Sequence, residues 1–157
     1  MKKIFFIVAF IATALVQTSF AQDKIVAPAE VLTQYYAVKD ALVNGNASLA
    51  ATKAGEFVNA ANSAGDKILP EASRTALLKD AANIAKTKDL KKQREYFSAF
   101  SENMFALAKS EKLSTEPVYK AYCPMAKASW LSSFSAIKNP YYGSVMLTCG
   151  KVVETLK

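Results

Sequence analysis

Apolar residues in the first two thirds of the chain recur at spacings of three and four, which is the repeat of an amphipathic helix. We expect helices over about 29–44, over 47–61, from near Pro70, and from the N-cap residue Asp89 to about Glu111. The predicted inward stripes are Val31, Tyr35, Val38 and Leu42; Ala50, Ala54, Phe57 and Ala61; Leu77, Ala81 and Ile84; and Phe97, Phe100, Met104 and Leu107. Short connections, such as the turn Asn44-Gly45-Asn46, make an up-down four-helix bundle the economical arrangement.

The tail has a different pattern. Residues 117–122 alternate apolar and polar side chains, which predicts a strand or an extended strap. Asn139-Pro140 predicts a turn, and Gly143 permits a sharp bend. A last short helix over about 143–156 would put Met146 and Cys149 one turn apart on one side. The predicted fold is mainly α: an up-down four-helix bundle (29–112) closed by a C-terminal extended strap and short helix (113–157).

The first 21 residues have the pattern of a secretory signal peptide. Lys2 and Lys3 precede an apolar stretch, 4–16, which is short for a membrane span, and Ser19-Phe20-Ala21 supplies small residues for cleavage after Ala21. We expect a periplasmic protein whose single helical domain spans 22–157, without a transmembrane segment after cleavage. The alternative is an uncleaved N-terminal anchor helix.

Composition narrows the possible functions. The net charge is +7, and removal of Lys2 and Lys3 lowers it to +5, which suits an acidic partner or anionic headgroups; nucleic acid is not expected in the periplasm. The chain has no histidine, GxSxG sequence or Gly-rich phosphate loop, so we expect no enzymatic activity.

Four sulfur-bearing residues of the tail are the strongest candidate chemistry. Cys123, Met125, Met146 and Cys149 carry soft ligands that favour Cu(I) or Ag(I), and Trp130 offers a π face to a cation. The alternative is a Cys123–Cys149 disulfide without metal, because exported small domains use such bonds and oxidation excludes thiolate ligation. The sequence leaves both open.

The tail also resembles a bacterial family of exported helical domains of unknown function. The resemblance rests on short motifs: Tyr122-Cys123-Pro124-Met125-Ala126, Trp130-Leu131-Ser132, Ile137, Asn139-Pro140-Tyr141-Tyr142-Gly143 and Met146-Leu147-Thr148-Cys149-Gly150, with Gln93-Arg94, Phe97 and Ser101 upstream. Members of that family stand alone or are fused to the C-terminus of periplasmic adaptor subunits of copper/silver-type efflux pumps. The resemblance implies an accessory role in metal handling, with efflux-pump components or another periplasmic protein as partners.

Other residues complete the candidate site. The resemblance implies a defined partner for Arg94, either a tail carbonyl or a carboxylate, whereas the neighbouring lysines 86, 88, 91 and 92 are expected on a solvated face or a docking surface. Asn139, Tyr141, Tyr142 and Trp130 are further candidates to line the site. A third hypothesis is a small-ligand pocket between bundle and tail, lined by Tyr141, Tyr142 and Trp130.

Overall fold

The structure, a computed structural model, describes residues 27–157. Its helices are α1 (Pro28–Val43), α2 (Ala47–Ser63), α3 (Glu71–Ala85) and α4 (Leu90–Ser110). They are followed by the strands β1 (Val118–Cys123), β2 (Ala128–Ser132) and β3 (Lys151–Leu156), with a 3-10 helix at Gly143–Val145. The predicted signal peptide, 1–21, lies outside the described residues. None of the helices in 27–157 combines the length and the apolar character needed to cross a bilayer.

The four helices confirm the mainly α prediction. Each helix packs against the next along the chain, and α4 returns to α1. Every residue of the four predicted stripes is buried, because the three-four spacing puts each set on one helical face. Asp89 is the N-cap of α4, with its carboxylate accepting hydrogen bonds from the Lys91 and Lys92 N–H groups.

A three-stranded antiparallel sheet, in the order β2-β1-β3, completes the core. β2 lies against α4, and all five of its residues are buried. The Tyr35 hydroxyl joins the two layers, because it lies 2.6 Å from the Ser101 hydroxyl oxygen of α4 and accepts a 2.9 Å hydrogen bond from the Leu131 N–H. The sheet therefore covers the bundle face that the narrow, Ala-rich stripes leave incomplete.

The predicted helix over 143–156 is wrong. Helical structure there is confined to the 3-10 helix, and 151–156 form a strand paired with β1. Gly150, with φ +142°, interrupts the chain between the two, and the following Lys-Val-Val-Glu-Thr-Leu alternates like a half-exposed strand. Most of the alternating segment 117–122 lies in strand β1, and β1 forms a hairpin with β2 that the sequence did not predict.

Candidate functional site

The two cysteines meet at one end of the sheet. Cys123 is the last residue of β1, and Cys149 lies two residues before β3, which pairs with β1 through Tyr122 and Lys151. The two Sγ atoms are 2.9 Å apart. Cys123 is buried and Cys149 is half-buried, so the pair is reached from the Cys149 side. The structure thus brings together the two sulfur-bearing segments that the sequence singles out.

The surroundings of the pair shift the pKa values of the two thiols in opposite directions. Burial raises the pKa of Cys123, but hydrogen bonds from the Cys149 thiol, the Ala126 and Met125 N–H groups and the Asn139 amide outweigh burial and lower that pKa below its ordinary value. The hydrogen bond to Cys123, followed by burial, raises the pKa of Cys149. Negative charge in the pair is therefore favoured on Cys123, which faces the N–H groups of the Pro124–Lys127 turn.

The separation of the sulfurs bears on both chemical hypotheses. A disulfide needs about 2.05 Å between sulfurs. Two metal–thiolate bonds of about 2.3 Å put sulfurs ~3.8 Å apart at a tetrahedral centre, and farther apart at a linear one. At 2.9 Å the two sulfurs lie between the disulfide and the tetrahedral value, and a displacement of about 1 Å reaches either of these, whereas a linear centre needs a larger one.

The two predicted thioether ligands belong to the segments that flank the thiols. The Met125 N–H faces both sulfurs, and its side chain is exposed. The Met146 carbonyl accepts a 3.1 Å hydrogen bond from the Cys149 N–H. No group of three or more Cys, Asp or Glu side chains suited to a metal occurs within 27–157.

Asn139 holds the loop that carries Cys149. It is fully buried, and its amide donates a 2.9 Å hydrogen bond to the Cys149 carbonyl. Its side-chain oxygen accepts hydrogen bonds from the N–H groups of Tyr141, at 2.8 Å, and Tyr142, at 3.3 Å. The sequence pattern predicts Asn139 in a turn and in the site lining, but it does not predict these hydrogen bonds. An Asn-Pro dipeptide signals the turn, whereas the bond to Cys149 depends on tertiary structure.

Arg94 fastens the same loop to the bundle. Its guanidinium donates to the Pro140 carbonyl at 2.9 Å and to the Leu42 carbonyl at the end of α1 at 3.1 Å. The partner in the tail is thus a carbonyl, one of the two alternatives for Arg94. Gly143, with φ +58°, packs so closely that an added Cβ would lie 2.7 Å from the Arg94 Nη2. Arg94 therefore has a structural role, because its guanidinium N–H groups donate to backbone carbonyls of both the tail and α1.

The aromatic candidates divide into core and surface. Trp130 is buried, edge-on to Tyr141 with ring centroids 6.1 Å apart, and its indole lies beneath Gly150. The Tyr141 hydroxyl donates to the Ser129 carbonyl. Tyr142 is half-buried and donates from its hydroxyl to the Met125 carbonyl at 3.3 Å. Trp130 therefore packs as a core side chain beneath the loop.

An open groove of about 580 Å³ runs between α4 and the tail. Arg94, Tyr141, Tyr142 and Ala126 contribute to its walls, together with Lys91 near the start of α4. Trp130 is not among its wall residues, so the groove matches only part of the pocket in the third hypothesis.

Three other residues named in the resemblance have structural roles. Gln93 is buried, and its amide donates to the carbonyls of Ala47, at 2.9 Å, and Thr87, at 2.7 Å. Phe97 stacks on Tyr35 with ring centroids 5.5 Å apart. Ser101 contacts the Tyr35 hydroxyl. These residues join helices and sheet, so their contribution to the site is to position it.

Comparison with known proteins identifies a family. The DUF3347 family, described as a protein of unknown function, matches residues 31–116, which are more than half of the chain. No curated protein and no solved structure matches significantly. The matched range contains most of α1, all of α2, α3 and α4, and ends before β1, so the tail motifs lie beyond it. The chain belongs to the DUF3347 family of proteins of unknown function.

Proposed function

We propose that this protein is a non-enzymatic, exported accessory protein that binds Cu(I) or Ag(I) through the reduced Cys123–Cys149 pair. The single observation that carries the proposal is the 2.9 Å separation of two sulfurs that are 26 positions apart in the chain. Soft monovalent ions prefer thiolate and thioether ligands, so a paired dithiol with adjacent methionines suits them better than a hard cation.

The surroundings of the pair support metal binding by the reduced form. Metal binding requires deprotonated thiols. Hydrogen bonds from the Cys149 thiol and then from the turn N–H groups lower the pKa of Cys123 despite its burial, whereas Cys123 and burial raise the pKa of Cys149, so the surroundings favour the first of the two thiolates. Met125 lies two positions after Cys123 and Met146 three positions before Cys149 in the chain, and their unbranched, flexible side chains suit them as added ligands. Residues 1–21 and the tail resemblance support export and a partner among metal-efflux components, and both remain parts of the proposal.

A second candidate function is a protein-interaction module with a Cys123–Cys149 disulfide and no metal. The observation in its favour is the same adjacency of the two sulfurs, because a movement of about 1 Å would bring them to bonding distance. Such a bond would fasten the loop before β3 to the end of β1. In the chain-entropy model, closing a loop of this length stabilises the fold by about 3–4 kcal/mol.

The first experiment determines the state of the thiols. Protein purified from the periplasm without reductant is denatured and its free thiols are counted. Two blocked thiols that become free after reduction would identify the disulfide. Two free thiols, or thiols released by a Cu(I) chelator, would support the metal-binding form.

The second experiment measures metal affinity. Reduced protein is titrated anaerobically with Cu(I) against a competing chelator, in parallel with Cys123→Ser, Cys149→Ser and Met125→Leu. We expect either serine variant to lose most of the affinity, and Met125→Leu to weaken it less. Failure of the reduced wild-type protein to compete would refute metal binding. Tight binding that survives both serine substitutions would place the metal elsewhere.

A further inference from the structure

Exposed apolar side chains concentrate on the loops of the tail. Of the eight large hydrophobic side chains that are exposed within 27–157, five lie between β1 and β3: Met125, Phe134, Val145, Met146 and Leu147. Val145 is 79% exposed and Phe134 is 72% exposed. Single exposed apolar residues need no explanation, whereas a cluster of them marks an interaction surface.

These loops lie at one end of the bundle. One surface depression is lined by Phe134, Lys138 and Asn44, and a second by Asn44, Lys138 and Val145. The second adjoins the groove beside Tyr142. The three depressions thus form a continuous band that passes the α1–α2 turn and the start of α4. We call this band, with its exposed apolar side chains and nearby lysines, the tail-end surface.

The same end carries lysines without neutralising partners. Five exposed lysines lie there: Lys86, Lys88, Lys91, Lys92 and Lys138. Within the described residues, none of them has a carboxylate oxygen within 4.0 Å, and every ion pair found there involves other cations. Three carboxylates lie at this end: Asp40 is paired with Lys39, Asp89 is the N-cap of α4, and Glu95 lies on the wall of the groove, so the five lysines outnumber them. The balance of charge on the tail-end surface is positive.

The apolar tip of this surface has a defined backbone. The Gly143 N–H donates to the Asn139 carbonyl at 2.9 Å, and the Met146 N–H donates to the Gly143 carbonyl at 3.2 Å. The left-handed φ of Gly143 turns the chain, and Val145 stands out beyond the turn. An apolar side chain presented in this way is not needed for packing within the described chain.

We propose that the tail-end surface docks on an anionic phospholipid membrane, with Val145, Leu147 and Phe134 entering the headgroup region and the lysines facing lipid phosphates. Exposed apolar side chains flanked by lysines are the two elements of reversible membrane-surface binding. The composition favours lipid over protein, because protein interfaces are depleted in lysine and enriched in arginine and aromatic residues. The one arginine here, Arg94, already donates to two backbone carbonyls.

The test is co-sedimentation with vesicles of phosphatidylcholine, with and without phosphatidylglycerol. It uses protein purified after export, with its N-terminus established by mass spectrometry, so that no apolar leader contributes. We expect binding to the anionic vesicles only, weakened by salt. The triple variant K88Q/K91Q/K92Q should bind about 100-fold more weakly, since each lysine near an anionic surface contributes about fivefold. V145S/L147S should lose about tenfold through lost apolar contact.

A matched control carries the same change of charge elsewhere. K67Q/K79Q/K112Q replaces three exposed lysines away from the tail-end surface, none of them ion-paired within the described residues, and should bind like the wild type. An equal loss in this control would mean that net charge alone drives binding and would overturn the proposal. Absence of vesicle binding would overturn the proposal as well. If the wild type binds polyglutamate through the same lysines but does not bind vesicles, the proposal is likewise overturned. Circular dichroism establishes that each variant is folded.

Discussion

Replacing Asn139 by alanine tests whether this residue holds the sulfur-bearing loop. The substitution removes one hydrogen bond to the Cys149 carbonyl and two from the N–H groups of Tyr141 and Tyr142. Each lost hydrogen bond costs about 1 kcal/mol, and leaving the buried Tyr141 N–H unpaired adds about 1–2 kcal/mol. The expected loss in the free energy of unfolding is therefore about 4–5 kcal/mol, a large part of the stability of a small domain.

Urea unfolding of the reduced protein, followed by the fluorescence of the single tryptophan, measures this loss. With a urea dependence of about 2 kcal/mol/M, the midpoint should fall by about 2 M. Asn103→Ala is the control, because its amide makes one hydrogen bond, 2.7 Å from an Asp80 carboxylate oxygen, at a half-buried position. Its expected cost is about 1 kcal/mol, or about 0.5 M in midpoint.

The result that refutes this reasoning is a loss in Asn139→Ala no larger than in Asn103→Ala. The rate of disulfide formation is a second measurement, and it connects Asn139 to the thiols. If Asn139 fixes Cys149 beside Cys123, then Asn139→Ala should slow formation of the disulfide by a given oxidant, whereas Asn103→Ala should not. Equal rates in both variants would mean that β1–β3 pairing alone positions the sulfurs.

Three further predictions concern the core. Tyr35→Phe should destabilise the protein by about 2 kcal/mol in urea unfolding, because it leaves two buried partners without their hydrogen bond; a neutral effect would contradict that role. Gly150→Ala should lower the free energy of unfolding by about 2–4 kcal/mol, because the φ of Gly150 is +142° and an added Cβ would lie 2.8 Å from the Trp130 Cη2. Gly55→Ala is the control: the space around the new Cβ is open, so the free energy of unfolding should stay the same or rise. Burial raises the pKa values of Tyr35 and Tyr141 above the ordinary value of about 10, so their contribution to stability should be complete below about pH 10 and fall as the pH rises further. The phenolate absorbance of both rings should therefore appear together with the loss of helical circular dichroism. Titration of either ring before unfolding would contradict its burial.

The bundle could be predicted because its signal is local. Residues such as Phe97, Phe100 and Met104 repeat at the helical period within one segment, and burial follows directly from that period. The cap at Asp89 is equally local, since one carboxylate reaches N–H groups two and three residues ahead.

The tail could be predicted only in part, because its structure depends on partners distant in sequence. Met146 and Cys149 have a spacing that suits a helix, yet Gly143 and Gly150 take backbone angles that end helical structure on both sides. Residues 151–156 form a strand because they pair with the free edge of β1. The sequence of 143–157 by itself contains no information about that edge. The meeting of the two cysteines was expected from the residue types, whereas the turn N–H groups that face Cys123 required the fold.

The contacts that hold the thiols together do not depend on a sulfur–sulfur bond. Asn139 holds the Cys149 carbonyl, Arg94 ties the preceding turn to α1, and β3 pairs with β1 on the other side. Because these contacts fix both ends of the site, the reduced pair stays adjacent and loses little conformational freedom when it binds an ion or is oxidised. If the pair binds metal as we propose, the oxidant and the metal supply decide whether ligation or oxidation occurs. The thiol count in protein taken directly from its compartment is therefore the measurement that separates the two proposed functions.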